Sequence, residues 1–582
     1  TVTNAITVDQ ANLLTATTSG TVTASITTTE TVTELATLSA HGSNNVDAVL
    51  TIIIRAADAA VCTAAQLNTI NNATSVNVDA TAVTHITGTV DNLITLINNE
   101  GNSGDKINLT GTFSVTVSSS SATASNLNSI NDATTGLVTA TAITSISGSN
   151  DDFIVLYAAD DAGTIIVDGN PNLSVTGENN VSALNYLNGR TTGTITATFT
   201  SSSISDLIDL EGSNIYTITL TDTEVNAAEL KTVVAATTIA VNANNVTTLT
   251  GTYADIIDVY SHISANTIDD SNDGGDFALT LSESITVGQA NNLSAKTTGV
   301  VTATISNMTM SELALLDTDG GNNAFTITVA DTSVNAGELV TLHEKTTVAI
   351  DIEAVTTLTG DFTEVQQFYQ DCDEFTNNDK ITMITLDAGA ITDAAALKTF
   401  HDNIRSLSSS AVVNIINVTT ITGAYIDLIN LYVSTITNLS GRNLTLSGPI
   451  FGEEANDLDF LTTGVITATI SNTNIAEFAN LTGTGNAYTV TVNDTAVNAA
   501  ELNTLNEKTT GTVTCDSNSL VITGSSTELD TMLSAKVAGE IDYSTSTVLT
   551  LIGTTTAGDI VERLTTDGNV SETINNNAAD FI

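Results

Sequence analysis

The side chains able to act on a substrate or hold a metal are few: five histidines, three cysteines, and pairings among 65 Asp and Glu residues. Histidine sites for zinc need imidazoles at helical or turn spacing. His41, His85, His262, His343 and His401 form no His-x-x-x-His or His-Glu-x-x-His pattern. His85 occupies a slot that other copies of an internal repeat fill with Thr248, Thr357, Thr420 or Ser145. A metal ligand or general base should not be interchangeable with a hydroxyl inside its own chain. Cys62, Cys372 and Cys515 are odd in number and far apart, so they build neither a disulfide framework nor a Cys-x-x-Cys site. No serine sits in Gly-x-Ser-x-Gly, and no glycine-rich phosphate loop opens a helix. Adjacent carboxylates such as Asp151-Asp152, Asp160-Asp161 and Glu453-Glu454 read as solvated turns. No catalytic residue and no bound cofactor emerge, and the expectation is a protein that is not an enzyme.

Calcium is the one ligand with a physical case. Asp269, Ser271 and Asp273 ahead of Gly274 match the opening of an EF-hand loop, and Asp276 adds a further oxygen ligand. The bidentate glutamate at the twelfth position is missing, because that residue is Thr280. A solvated acidic turn is the plain reading of this loop, and calcium binding of millimolar strength is the alternative. Asp317-Thr318-Asp319-Gly320 is a weaker relative of the same loop.

The elements that would position these residues repeat along all 582 residues. The stretches Tyr216–Leu230, Phe325–Leu339 and Tyr488–Leu502 share Thr-x-Thr alternation followed by Val/Asn/Ala/Glu/Leu positions. Val246-Thr-Thr-Leu-Thr-Gly251 returns at 83–88, 143–148, 355–360, 418–423 and, loosely, 519–524, while Thr-Thr-Gly ends at Gly136, Gly193, Gly299, Gly464 and Gly511. Units start near 1, 49, 107, 171, 216, 277, 325, 381, 443 and 488, with a partial one from about 548. Each reads as strand, helix, strand, helix. Tyr216, Ile218 and Leu220 alternate with Thr217 and Thr219 at strand period. Asn226, Asn335 and Asn498 are helix N-caps; Glu229, Glu338 and Glu501 complete capping boxes, and Val225 with Leu230 and its counterparts form hydrophobic staples. Gly193, Gly299 and Gly511 fall where a left-handed residue would end a helix.

Strands joined by crossover helices pair in parallel with right-handed connections. The expected fold is therefore α/β: one continuous array over 1–582, an elongated right-handed α/β solenoid of about twenty strand–helix coils. One long parallel sheet with helices on one side would run roughly 95–100 Å at ~4.8 Å per strand. Its other face would carry threonine rows able to meet ice or glycans, although threonine is also a soluble strand former.

Composition narrows the partners. With 13 Lys+Arg the net charge is −52, which argues against binding nucleic acid or an anionic membrane. Hydrophobic residues at 41% are too many for a disordered acidic chain, while no apolar run reaches the ~18 residues of a membrane span. The chain opens on Thr1 with no basic and apolar leader pattern, and the expectation is that a leader has been removed or that the segment belongs to something longer. Thr1–Val8 already resembles an internal strand and Ala578–Ile582 ends apolar, which leads to the expectation of uncapped ends stacking head to tail as a homopolymer.

The Val-Thr-Thr-Leu-Thr-Gly and Asn-Ala-Ala-Glu-Leu repeats resemble those of Thr/Asp-rich repeat proteins of marine cyanobacterial cell surfaces and extracellular filaments. The resemblance covers the whole chain through repeat character, with no diagnostic site. It implies an extracellular or cell-surface structural protein, a subunit of a filament or surface layer whose partner is itself. The alternative is an adhesin or an ice- or glycan-binding stalk.

Overall fold

The computed structural model describes residues 1–39, 48–101, 106–271, 274–306, 308–317, 322–387, 393–408, 410–544, 546–552 and 573–576. Two compact units divide the chain: residues 1–283 with 296–300, and residues 284–295 with 301–582. Both are mixed α/β, and the strands in the sheets described here pair in parallel.

In the first unit a seven-stranded sheet runs in sequence order from Ser121–Thr123 through Ser145–Ser149, Asn172–Thr176, Ile195–Ser202, Ile215–Leu220 and Val241–Asn242 to Ile268–Asp269. A five-stranded sheet joins Cys62–Thr63, His85–Gly88, Ser114–Val117, Val138–Thr139 and Ile165–Ile166. The second unit holds a six-stranded sheet from Thr420–Gly423 to Ile541–Tyr543, and a four-stranded one from Ser333–Asn335 to Val412–Asn414. Inward residues of successive strands form apolar columns. Cys62, Ile86, Val115, Val138 and Ile165 are in register and fully buried.

The strands thus fall into several sheets, not the single long one expected. A turn explains the difference. The longer coils fold their outgoing run at a tight corner, as where the Val246 N–H meets the Ala243 carbonyl at 2.9 Å. Before the corner, Asn242 pairs with Thr219; after it, Thr248–Thr250 pairs with Glu224–Asn226 in a different sheet. The same turn recurs at Val83, Ile143, Val355 and Val418. Val-Thr-Thr-Leu-Thr-Gly is therefore a corner followed by a strand. Shorter coils keep one uninterrupted run such as Ile195–Ser202.

Helices begin where the local signals place them. The Asn226 Oδ1 accepts the N–H groups of Ala228 and Glu229, Asn335 accepts that of Glu338, and Asn498 that of Ala500. The staple pairs Val225–Leu230, Val334–Leu339 and Val497–Leu502 are buried. The expected return bonds from Glu229, Glu338 and Glu501 do not accompany these caps among the described residues. Each cap closes a strand paired with the next coil, as Asn226 with Thr250, and the ladder constrains its backbone instead. Full capping boxes form at Thr7 with Gln10, Thr31 with Glu34 and Ser525 with Glu528.

Gly193, Gly299 and Gly511 differ from expectation too, since none has a positive φ. A Cβ there would lie 2.3–2.5 Å from a carbonyl oxygen of the preceding coil, at Pro171, Phe277 or Tyr488. Close backbone approach requires the glycine. The glycine ending the corner strand meets a small partner: a methyl at Gly88, Gly423 or Gly524 would sit 2.7–2.9 Å from the Cβ of Ala64, Ala394 or Ala499. These alanines open helices and are fully buried, so the Ala of one marker and the Gly of another form one small–small contact between successive coils.

Candidate functional site

The loop considered for calcium begins where the strand Ile268–Asp269 ends. The Asp269 carboxylate accepts the Ser271 N–H at 3.2 Å, and the exposed Ser271 hydroxyl reaches Asn244 Oδ1 at 3.5 Å. Asp273 lies outside the described residues. Asp276 faces elsewhere: it accepts the Thr297 hydroxyl at 3.0 Å, the N–H and hydroxyl of Thr298, and the Gly299 N–H at 3.2 Å. Hydrogen bonds from Thr298 hold its carboxyl below the usual aspartate range. Asp269 thus bonds within its own turn and Ser271 reaches back to Asn244, while Asp276 binds the Thr-Thr-Gly turn of residues 297–299. Of the weaker loop, the Asp317 N–H donates to Asn291 and residues 318–320 lie outside the described residues. Among the described residues no three His, Cys, Asp or Glu side chains converge as a metal site.

The histidines sit apart. His85 behaves as a member of a hydroxyl row, with Nδ1 2.8 Å from Ser114 Oγ and Nε2 3.3 Å from Thr87 and Thr116. His262 pairs with Thr267 through Nδ1 at 2.9 Å, and His343 packs edge-on against Phe375. The buried His401 bridges Asp402 and Thr435. His41 lies outside the described residues. Burial pushes the Cys62 thiol up to about 11 and the Cys515 thiol up to about 12.

What the recurring polar residues do was hidden from sequence reasoning. Thr134, Thr191, Thr297, Thr462 and Thr509 are buried, and each donates its hydroxyl to a carbonyl of the preceding coil at 2.5–2.9 Å. Each also accepts the N–H of the glycine two residues on, at 2.9–3.0 Å. Thr74, Thr237 and Thr346 form the same clasp in coils without the glycine.

Asparagine does the corresponding work between helices. Asn12, Asn185, Asn291 and Asn456 donate to the carbonyls of Thr37, Asp209, Leu315 and Asn480 at 2.6–2.9 Å, and accept the N–H groups of Ser39, Glu211, Asp317 and Thr482. Asp222, Asp331 and Asp494 reach back to the first N–H of a one-turn helix in the preceding coil, at Ile204, Met310 and Ile475, 2.6–2.7 Å away. A negative side chain at a helix N-terminus satisfies an orphan donor and the local dipole together. The only sequence signal for these bonds was recurrence itself.

Outward strand positions carry hydroxyls in register. Thr63, Thr87, Thr116 and Thr139 are consecutive partners across four strands of one sheet, all half-buried. Strand spacing sets such hydroxyls ~4.8 Å apart along the row. Among the described residues no helix is long and apolar enough to cross a membrane. Compared with family models, curated proteins and solved structures, the chain matches none.

Proposed function

We propose that the chain is an extracellular structural repeat protein, a subunit of a filament or surface layer with no enzymatic activity. In this reading its coils stack as a right-handed α/β solenoid with helices along one side, and copies assemble head to tail. The observation that carries the proposal is the use of the repeated polar residues. Thr509 and its equivalents, Asn456 and its equivalents, and Asp494 and its equivalents all bond coil to coil. A repeat built around a ligand would leave such residues facing solvent or a cleft. Here the repeating information is adhesion between coils, and a coil of another copy could add through the same ladder edge, clasp and cap. Contacts of that kind are heterologous and propagate instead of closing. A lysine-poor acidic surface suits a salty exterior, where screening below ~10 Å softens self-repulsion. Negative-stain electron microscopy of the purified chain in seawater-like salt with calcium should show fibres or sheets. A monodisperse monomer at micromolar concentration under those conditions overturns the reading.

A second reading rests on the Thr63–Thr87–Thr116–Thr139 row. A regular array of methyls and hydroxyls could serve an adhesin or an ice- or glycan-binding stalk. Thermal hysteresis or glycan-array binding by isolated monomers would favour it over assembly.

A further inference from the structure

Two successive helices of the second unit, Phe362–Gln370 and Ala394–Leu407, leave a groove between them. The connecting segment carries two 3-10 turns, Cys372–Glu374 and Asn378–Lys380, around the short strand Phe375–Thr376. The groove measures about 480 Å³, inside the ~300–1,000 Å³ range of small-molecule sites.

Its lining has a definite chemistry. Phe362 and Phe400 meet on its wall with ring centroids 4.8 Å apart. Tyr369 is nine-tenths buried, and its hydroxyl has no hydrogen-bond partner among the described residues. The exposed side chains of Gln366, Gln370 and Asn403 supply amides at the mouth. In a chain with 65 acidic residues, no charged side chain lines the groove among those described. Aromatic residues are 4% of the chain, yet here ring contacts also link Phe368 to Tyr369 and Phe375.

We propose that this groove binds a neutral saccharide. Sugar hydroxyls both donate and accept, which matches carboxamides that do the same, while the sugar C–H face suits an aromatic wall. An anion would meet no counter-charge here and would be repelled by the net −52. A purely apolar ligand would draw nothing from the hydrated amides at the mouth. The competing ligand is a small organic cation, drawn by the acidic field and held by the rings.

Calorimetric titration of the full chain with maltotriose, cellotriose and tri-N-acetylchitotriose, up to about 10 mM, tests the assignment against a Kd near 1 mM. At least one should bind. The surface double variant Gln366→Ala/Asn403→Ala should weaken that binding by about tenfold, and Phe362→Leu should weaken it by a similar factor. Unchanged far-ultraviolet circular dichroism and urea midpoint would establish that each variant is folded. Absence of binding by all three sugars overturns the proposal. So does binding indifferent to the amide and Phe362 changes, or tetramethylammonium binding at this groove in place of the sugars.

Discussion

Replacing Thr509 by valine keeps the shape of the side chain and deletes its hydroxyl. That hydroxyl donates to the Tyr488 carbonyl at 2.9 Å and accepts the N–H groups of Tyr488 at 2.8 Å and Gly511 at 2.9 Å. Tyr488 is 1% exposed and Thr509 8%, so water cannot restore the Tyr488 bond. Gly511 is only half-buried and recovers part of its own. An orphaned buried donor costs about 1–3 kcal/mol, so the sum for Thr509→Val is about 2–4 kcal/mol. Thr509→Ser keeps the hydroxyl and loses one methyl, which costs about 1 kcal/mol. The neighbouring Thr510 provides the control, because its hydroxyl makes one longer bond, 3.3 Å to the Asn486 carbonyl. Thr510→Val should cost below about 1 kcal/mol. Urea unfolding ranks the three variants by midpoint at constant slope. Amide exchange at Tyr488 and Gly511 should accelerate most in Thr509→Val, since repeat arrays open locally. Equal midpoints for Thr509→Val and Thr510→Val would refute the clasp.

Other expectations follow from the same contacts. Gly464→Ala forces a Cβ within 2.2 Å of the Arg442 carbonyl and should cost about 1–3 kcal/mol, whereas Gly441→Ala enters open space and should leave the urea midpoint unchanged. Native Cys62 and Cys515 should resist alkylation at pH 8, their thiols being buried and raised, while the half-buried Cys372 labels first; denaturant should expose all three, as counted by mass spectrometry. Asp276 is held below the usual range by Thr298, so its contribution is present above the ordinary carboxyl value near ~4 and is lost as pH falls through its lower folded value. Asp276→Asn should therefore flatten the acid limb of a stability–pH profile, and a limb identical to wild type would count against the turn. Because Asp276 is engaged there, calcium should raise the melting temperature only at millimolar concentration; sub-millimolar stabilisation abolished by Asp269→Ala would reverse that assignment.

Local physics made part of this molecule readable in advance. Asn226, Asn335 and Asn498 cap helices because capping joins residues two or three apart, and such contacts exist in any conformation that begins a helix there. The alternation at Tyr216, Ile218 and Leu220 needs only the two-residue period of an extended chain to put one set inside. Repetition likewise located Thr-Thr-Gly and the strand that ends Val-Thr-Thr-Leu-Thr-Gly without revealing the bonds they make.

Their roles arise between coils. Thr509 bonds a residue 21 positions earlier, Asp494 caps a helix 19 positions earlier, and Gly524 abuts Ala499. None of these partners is defined until parallel pairing fixes which strand lies beside which. The corner dividing the strands among several sheets, and the gap beside Phe400, depend in the same way on how neighbouring segments pack. Periodicity and capping come from covalent geometry and short-range bonding, which the order of residues contains. Clasps, close approaches and the groove come from long-range register, which exists only once the parallel strands have paired.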